Sequence, residues 1–314
     1  MKVAVLYGGT SGEREVSLNS GKSIMEALNS KGHEVTAVDF HPDQAHELFQ
    51  LDVDVAVIAL HGKIGEDGRV QALLELADIP YTGSGVLASA LAMDKARSKV
   101  HFDKAGITIA RDVLLERGAD IEAKIAEWDG QFPCVVKPAQ EGSSNGLTIA
   151  QDETMLREGI AKAFEADDAV LVEQFIKGRE VTVPVVGHKG AEKALPVIEI
   201  IPKNAFYDYE SKYAIGGSEH ICPAELDEAT TEKLQEWAVK AHQVLGCAGY
   251  SRSDFLVPES GNPVILETNT LPGMTSTSLF PDGARAVGIE YPELVEYFME
   301  LAIERHRQTK QTNQ

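Results

Sequence analysis

Cysteine is scarce in this chain of 314 residues: there are three, Cys134, Cys222 and Cys247. They lie far apart and form neither a Cys-x-x-Cys pair nor an even set, so a disulfide framework is excluded and packing is the role left to them. Long apolar runs are lacking too. The first, at 3–7, stops at Gly8-Gly9, too short for a signal-peptide core, and none approaches the ~20 residues of a membrane helix. A reducing cytoplasm and no membrane are the expected setting. Positive charge is short as well, with 29 Lys and Arg against 49 Asp and Glu, a net charge of −20. Such a surface does not recruit phosphate backbones, which argues against nucleic acid as a partner, and an anionic nucleotide would need a local basic pocket. Repeats and low-complexity linkers are absent. No Gly-x-Gly-x-x-Gly follows the first strand, which weakens a nicotinamide dehydrogenase reading.

What remains is a chain of globular composition, 43% hydrophobic and 25% charged, long enough for two or three lobes with separate cores. The apolar run at 3–7 reads as a buried parallel strand feeding the loop Gly8-Gly9-Thr10-Ser11-Gly12 and a helix from about Arg14. Strands at 35–40 and 53–60 follow, separated by helical stretches such as 44–50. This alternation predicts a doubly wound parallel sheet, with ligands beyond the carboxyl ends of its strands. Glu13, in the first loop, and His61-Gly62, after the third strand, occupy that position. Pro80-Tyr81-Thr82-Gly83-Ser84-Gly85 then punctuates the chain, helical sequence runs through Met93-Asp94-Lys95 to Lys99, and the first domain boundary falls near Met93.

A hairpin near the other end carries the densest chemistry. Residues 251–257 and 264–268 read as its strands, joined by turn-forming residues at 259–263. Glu267 and Asn269 are two apart and share a face, and a suitable register brings Asp254 beside them. Two carboxylates and an amide oxygen suit a hard cation such as Mg²⁺, which takes few protein ligands and keeps waters and phosphates. Arg252 faces the same side. Hairpin carboxylates are ordinarily solvated. Here Phe255-Leu256-Val257 and Val264-Ile265-Leu266 set the acids in core-forming strands, where a buried carboxylate needs a partner.

Between these ends, 132–138 is a strand ending in Lys137-Pro138, followed by Ala139-Gln140-Glu141-Gly142-Ser143-Ser144-Asn145-Gly146. Small residues there free backbone N–H groups to approach phosphates; a Gly/Ser loop alone is more often a flexible hairpin, and the strand-end Val136-Lys137-Pro138 before it is what makes the pattern specific. A strand at 170–176 leads through Lys177-Gly178-Arg179 to a second at 180–183. Residues 206–218 are polar, aromatic and glycine-bearing without a period, and read as a long lid-like loop. A helix at 227–245 stops at Gly246. Another at 291–305 ends the fold, with a tail expected to fray from His306.

The Asp254 strand, the Glu267-Thr268-Asn269 strand end and Thr270-Leu271-Pro272-Gly273-Met274-Thr275 resemble the metal and acyl-phosphate region of ATP-grasp ligases, most of all the D-alanine–D-alanine ligases. The segments at 8–18 and 61–68, Met93-Asp94-Lys95, and Val136-Lys137-Pro138 before Glu141-Gly142-Ser143-Ser144 are similar to that family's motifs in the same order. The resemblance therefore spans Gly8 to Ser278. It departs where the family often has Ser-Arg and this chain has Ala139-Gln140.

The resemblance implies an α/β fold in three parts: an N-terminal doubly wound parallel-sheet domain at 1–93 that binds substrate, then a two-lobed ATP-grasp fold at 94–178 and 179–314, the last part with the metal site. It implies ATP-dependent joining of two D-alanines for peptidoglycan, by a homodimer. Asp254, Glu267 and Asn269 would hold two Mg²⁺ (or Mn²⁺), and Lys95, Lys137 and Lys212 would meet ATP phosphates. Ser143 would cover the nucleotide, with Glu173, Phe175, Ile176 and Glu180 around it and Glu180 on the ribose. Glu13 would bind the first substrate's ammonium beside His61, and Ser278 with Lys212 the second substrate's carboxylate. Arg252 and the Gly273 N–H would stabilise the tetrahedral oxyanion. Tyr213 would join Ser143 and Glu13, and Lys212-Tyr213 matches the dipeptide-forming rather than the ester-forming pattern. Two rivals stand beside this reading: another ATP-grasp carboxylate–amine ligase, and a non-catalytic nucleotide-binding regulator, against which the intact metal trio argues.

Overall fold

The computed structural model describes residues 1–128, 131–143, 145–202 and 218–312. Its first strand, β1 (Lys2–Gly8), is apolar on both faces because both are covered, and Val3 through Leu6 are fully buried. It leads into α1 (Arg14–Ser30) and pairs in parallel with β2 (Glu34–Phe40) on one side and β3 (Val55–Ile58) on the other. The expected parallel sheet is thus present, and a single parallel bridge from Ala56 to Tyr81 extends it. The stretch expected to be helical at 44–50 is a 3-10 helix, Pro42–Gln50, with Leu48 its one buried residue, so it has no apolar stripe to dock as a full α-helix.

Three helices follow, α2 (Arg69–Leu76), α3 (Val86–Met93) and α4 (Lys95–Lys104). The break between the last two is at Asp94, whose extended backbone and side chain cap α4 by accepting the Arg97 N–H at 3.0 Å. Next comes an antiparallel sheet built from β4 (Asp112–Glu116), β5 (Cys134–Pro138), β6 (Thr148–Ala150) and β7 (Ala169–Gln174), in the order β4-β7-β5-β6. Helices α5 (Ile121–Glu127) and α6 (Glu153–Ala166) accompany it, and Leu156, Ile160 and Ala163 of α6 share its core with the buried Cys134.

The second antiparallel sheet has β8 (Arg179–Gly187) near its middle, with the short β9 (Lys193–Ala194) at its side, and continues through β10 (Ile198–Pro202) and β11 (Ser218–Ile221). Val181, Val183 and Val185 alternate onto one face of β8, packed with Leu234, Trp237, Ala238 and Ala241 of α7 (Glu228–Val244). On its other edge β8 pairs with β12 (Gly249–Val257), which pairs in turn with β13 (Val264–Asn269). Residues 203–217, most of the lid-like loop read from the sequence, lie outside the described residues.

The chain closes with α8 (Leu279–Arg285) and α9 (Tyr291–Thr312). Leu294, Val295, Phe298 and Met299 of α9 join the core of β1 and β3, so the last helix covers the first sheet. The tail expected to fray from His306 is helical instead. His306 and Lys310 clasp Asp78 at 3.2 and 2.6 Å, which holds the last turns against the loop after α2. Among the described residues no helix is long and apolar enough to cross a membrane.

Candidate active site

Antiparallel pairing places Asp254 of β12 directly opposite Glu267 of β13, and Arg252 opposite Asn269. A β-bulge follows at once, between Asp254 and Phe255, so the register that joins the two carboxylates holds on the Arg252 side of the bulge. Asp254 is only 8% exposed. Arg252 forks onto it at 3.0 and 2.9 Å, the Asn269 amide nitrogen donates to it at 3.0 Å, and Thr182 of β8 donates its hydroxyl at 2.5 Å. These donors hold a desolvated carboxylate in one orientation.

Glu267 meets the Lys95 ammonium at 3.1 Å, and the same Nζ donates to the Glu141 carbonyl at 2.7 Å. Burial by itself would push the Lys95 pKa down. The Glu267 carboxylate, with Glu173 and Glu66 further off, outweighs burial, so the net shift is upward and the amine stays charged. Lys95 opens α4 and its backbone N–H bonds to the Ala139 carbonyl at 3.0 Å, which anchors the helix start beside the small-residue loop.

A second charged group stands on β5 and β7. Glu173 is buried, with Lys137 at 2.6 Å from one carboxylate oxygen and Lys99 at 2.6 Å from the other. Burial pushes its pKa up, but the two ammoniums prevail and hold it at about 2. Lys99 was not singled out from the sequence, although two signals were there: it falls four residues after Lys95, on the same helix face, and lysine is rarely buried unless paired.

Between the two antiparallel sheets lies a cleft of about 1000 Å³. Lys95, Lys137, Ser143, Glu173, Phe175, Ile176, Glu180, Asp254 and Glu267 all line it, with Val135, Ile149, Met155, Leu256 and Leu266 as apolar walls. Nine residues singled out between Lys95 and Glu267 are therefore gathered in one place, of a size that holds a nucleotide.

Glu13 precedes the first turn of α1, and Ser143 donates its hydroxyl hydrogen to the Glu13 carboxylate. Ser143 takes a left-handed φ of +53° to do so, a conformation costly for a residue with a Cβ. Two glycines make room on the other side: a Cβ at Gly62 or Gly142 would stand 2.7 or 2.9 Å from Glu13 Oε2. His61 is buried, bonded through Nε2 to Ser20 at 3.1 Å, with Glu66 3.7 Å from its Nδ1. Ser20 also accepts the Met274 N–H at 3.3 Å, which links His61 to the turn bearing Gly273 and Ser278. In that turn Ser278 Oγ accepts the Thr275 N–H at 3.0 Å and lies 2.8 Å from the Thr275 hydroxyl, while a Cβ at Gly273 would come within 3.5 Å of it. Ser20 and Thr182 escaped the sequence reading because neither belongs to a motif. Lys212 and Tyr213 lie outside the described residues.

Comparison with known proteins agrees with this geometry. The family described as D-ala D-ala ligase C-terminus matches residues 102–300, and D-ala D-ala ligase N-terminus matches 2–49 and 42–84. The D-alanine–D-alanine ligase of Halalkalibacterium halodurans is 58% identical over 306 residues, 97% of this chain and 100% of that protein. The Syntrophotalea carbinolica ligase is 51% identical over 295 residues, 94% of each. Among solved structures, the Bacillus anthracis D-alanine–D-alanine ligase complexed with ATP superposes with a TM-score of 0.85 at 32% identity, over 98% of this chain and 99% of that one. The VanG D-Ala:D-Ser ligase of Enterococcus faecalis gives 0.83 at 31% identity, over 96% and 99%. With matches to both halves of the family and identity above one half over nearly the full length, this chain belongs to the D-alanine–D-alanine ligase family of ATP-grasp enzymes.

Proposed function

We propose that this enzyme joins two D-alanines into D-alanyl-D-alanine at the expense of ATP, supplying the dipeptide of peptidoglycan. The observation that carries the reading is the convergence in one cleft of two lysines, Lys95 and Lys137, with the facing carboxylates Asp254 and Glu267, while Ser143 brings Glu13 to the rim. A carboxylate is a poor acyl donor. Its oxygen attacks the γ-phosphorus, the bond to ADP breaks, and a D-alanyl phosphate results. The second amine then attacks the acyl carbon, phosphate leaves, and the amine gives up a proton.

Two anions must meet in the first step, and Lys95, Lys137 and Lys212 offset their repulsion. Glu173, Phe175, Ile176 and Glu180 form the nucleotide's surroundings, with Glu180 toward the ribose. Asp254, Glu267 and Asn269 suit two Mg²⁺ or Mn²⁺ ions: their donors are all oxygen, the two acids face each other in register, and so few protein ligands leave positions for phosphate oxygens. Among the described residues no third His, Cys, Asp or Glu joins them in a closed metal cage. Bound there, such ions would offset charge on the phosphates.

In the second step Arg252, already oriented by Asp254, and the Gly273 N–H stabilise the oxyanion of the tetrahedral intermediate. Glu13, beside His61, attracts the first ammonium. Ser278 and Lys212 attract the second carboxylate, so opposed charges set the order of the two amino acids. Tyr213 completes the hydrogen-bonded set with Ser143 and Glu13. The reading extends to a cytoplasmic homodimer.

The acceptor is the half of the reaction that one observation leaves open, because a D-Ala:D-Ser ligase is among the structural neighbours. ADP release and product mass should therefore be measured with ATP and D-alanine alone, then with L-alanine, D-serine or D-lactate added. The expected outcome is ADP release that requires D-alanine, with D-alanyl-D-alanine the dominant product. ADP release indifferent to D-alanine, or another dominant product, would refute the proposal.

A further inference from the structure

Lys99 takes no part in the reaction described above and does not line the cleft, yet it is among the most buried charges of the chain, 3% exposed. A lysine is not kept out of water without strong partners. Its two partners are Glu173, at 2.6 Å, and Asp112. These acids are direct cross-strand neighbours, Asp112 on β4 opposite Glu173 on β7, and two like charges so placed repel. Lys99 reaches both from α4 and cancels that repulsion.

The consequence passes into the cleft. Glu173 uses one oxygen for Lys99 and the other for Lys137, so its carboxylate plane is set from two sides, by a helix and by strand β5. Glu173 and Lys137 both line the cleft. Four alternating charges, Asp112, Lys99, Glu173 and Lys137, form a chain with the part-exposed Asp112 at one end, the buried Lys99 and Glu173 in the middle, and Lys137 facing the ligand space at the other end. Removing Lys99 leaves Asp112 and Glu173 in opposition, and frees Glu173 to swing onto Lys137 and take that ammonium with it. The same helix face delivers Lys95 to Glu267 four residues earlier, so α4 sets the spacing of both cationic groups.

We propose that Lys99 is a positioning residue for nucleotide binding, holding Glu173 and through it Lys137 in place. This rests on the assignment of the cleft to ATP made above. The test is calorimetric titration of the full-length protein with ATP and Mg²⁺, alongside steady-state kinetics. Lys99→Met should raise both the Kd and the KM for ATP by about tenfold or more, the loss of one buried charge-assisted contact. The KM values for D-alanine should stay within about threefold, because Glu13 is bonded by Ser143 and Ser278 by Thr275, neither of them a member of this chain of charges. Lys99→Arg, which keeps a cation between the two acids, should recover ATP affinity to within about threefold of wild type. Asp112→Asn, which leaves Lys99 wholly to Glu173, should change it by no more than about twofold.

ATP affinity unchanged in folded Lys99→Met, or lost in step with D-alanine affinity and melting temperature, would overturn the proposal. So would a loss of ATP affinity in Asp112→Asn as large as that in Lys99→Met. If Lys99→Met does not fold, Lys99→Met with Asp112→Leu removes the stranded acid and carries the same expectation. Failure of that variant to fold as well assigns Lys99 to folding alone and overturns the proposal. No ATP binding by the wild-type protein would overturn the nucleotide reading itself, and this inference with it, whereas wild-type binding matched by Lys99→Met overturns this inference alone.

Discussion

Ser143 bonds to the carboxylate of Glu13 across a separation of 130 residues, and that one contact ties the loop after β1 to the loop after β5. The parallel sheet and the first antiparallel sheet have separate cores, so polar contacts rather than shared packing, this one together with those of Lys63 to the Glu141 carboxylate and the Ala166 carbonyl, bring the proposed ammonium site to the mouth of the cleft. Its geometry depends on what is missing nearby, the Cβ atoms of Gly62 and Gly142.

Gly142→Ala tests that dependence. Gly142 does not use a left-handed φ, so an alanine there adds crowding without backbone strain, its Cβ 2.9 Å from Glu13 Oε2. The carboxylate must shift, and displacement of a positioning group by about 1 Å costs on the order of a hundredfold in rate. We expect kcat/KM for D-alanine to fall about ten- to hundredfold, with a melting temperature within about 3 °C of wild type. Kinetics and a thermal melt on the same preparation check both halves. Unchanged kcat/KM would mean that Glu13 can move without consequence.

Glu267→Gln keeps the shape of the side chain and removes its charge. Turnover should drop by about a hundredfold or more, since the charge serves the phosphoryl-transfer end of the cleft. Stability should change by less than about 3 kcal/mol, because Lys95 keeps the Glu141 carbonyl as a partner. Titrating Mg²⁺ against activity distinguishes the roles: the variant should need more metal for half its maximal rate. Wild-type activity at limiting Mg²⁺ would remove Glu267 from the metal set.

His242 sets a pH dependence of stability. It lies on the buried face of α7, in its last turn, with Nδ1 2.7 Å from the Ser251 hydroxyl, and burial pushes its pKa down to about 4. In the unfolded chain the value is ~6.5, so between those limits the unfolded state binds the proton more readily. The contribution is complete above about pH 6.5 and declines as pH falls toward 4, at up to about 1.4 kcal/mol per pH unit. Urea unfolding at pH 7.5, 6.0 and 5.0 should show this decline, and His242→Asn should flatten it. An equal slope in the variant would place the titrating group elsewhere. Below about pH 4.5 Glu173 adds a further loss: its folded pKa of about 2 lies below the unfolded value, so its stabilisation fades as pH falls between the two.

Much of the candidate site was legible because its chemistry is carried by short runs. The alternation in Arg252-Ser253-Asp254 and Glu267-Thr268-Asn269 put the polar groups on one face of each strand, and the structure pairs them in that register. Val136-Lys137-Pro138 marked a strand end with a cation, and Lys137 does line the cleft. The 3-10 character of Pro42–Gln50 was not legible, nor was the helical tail to Thr312, whose last turns are held by Asp78 from a distant loop. The parts assigned to Lys212 and Tyr213 rest on the sequence alone.

The sequence by itself determined the local geometry of the segments that carry the site: their strand or loop character, which faces their side chains share, and which of them carry acids, lysines or small residues. These follow from periods of two and 3.6 and from turn chemistry, all of them properties of neighbours in the chain. Only the tertiary structure decided that Asp112 stands opposite Glu173, that Lys99 lies between them, that Glu13 is enclosed by Gly62 and Gly142, and that the last helix covers the first sheet. Each of these relations joins segments far apart in sequence. What selects them is the burial of apolar faces on one another and the need to pair every charge buried along with them, and neither can be read from a single segment.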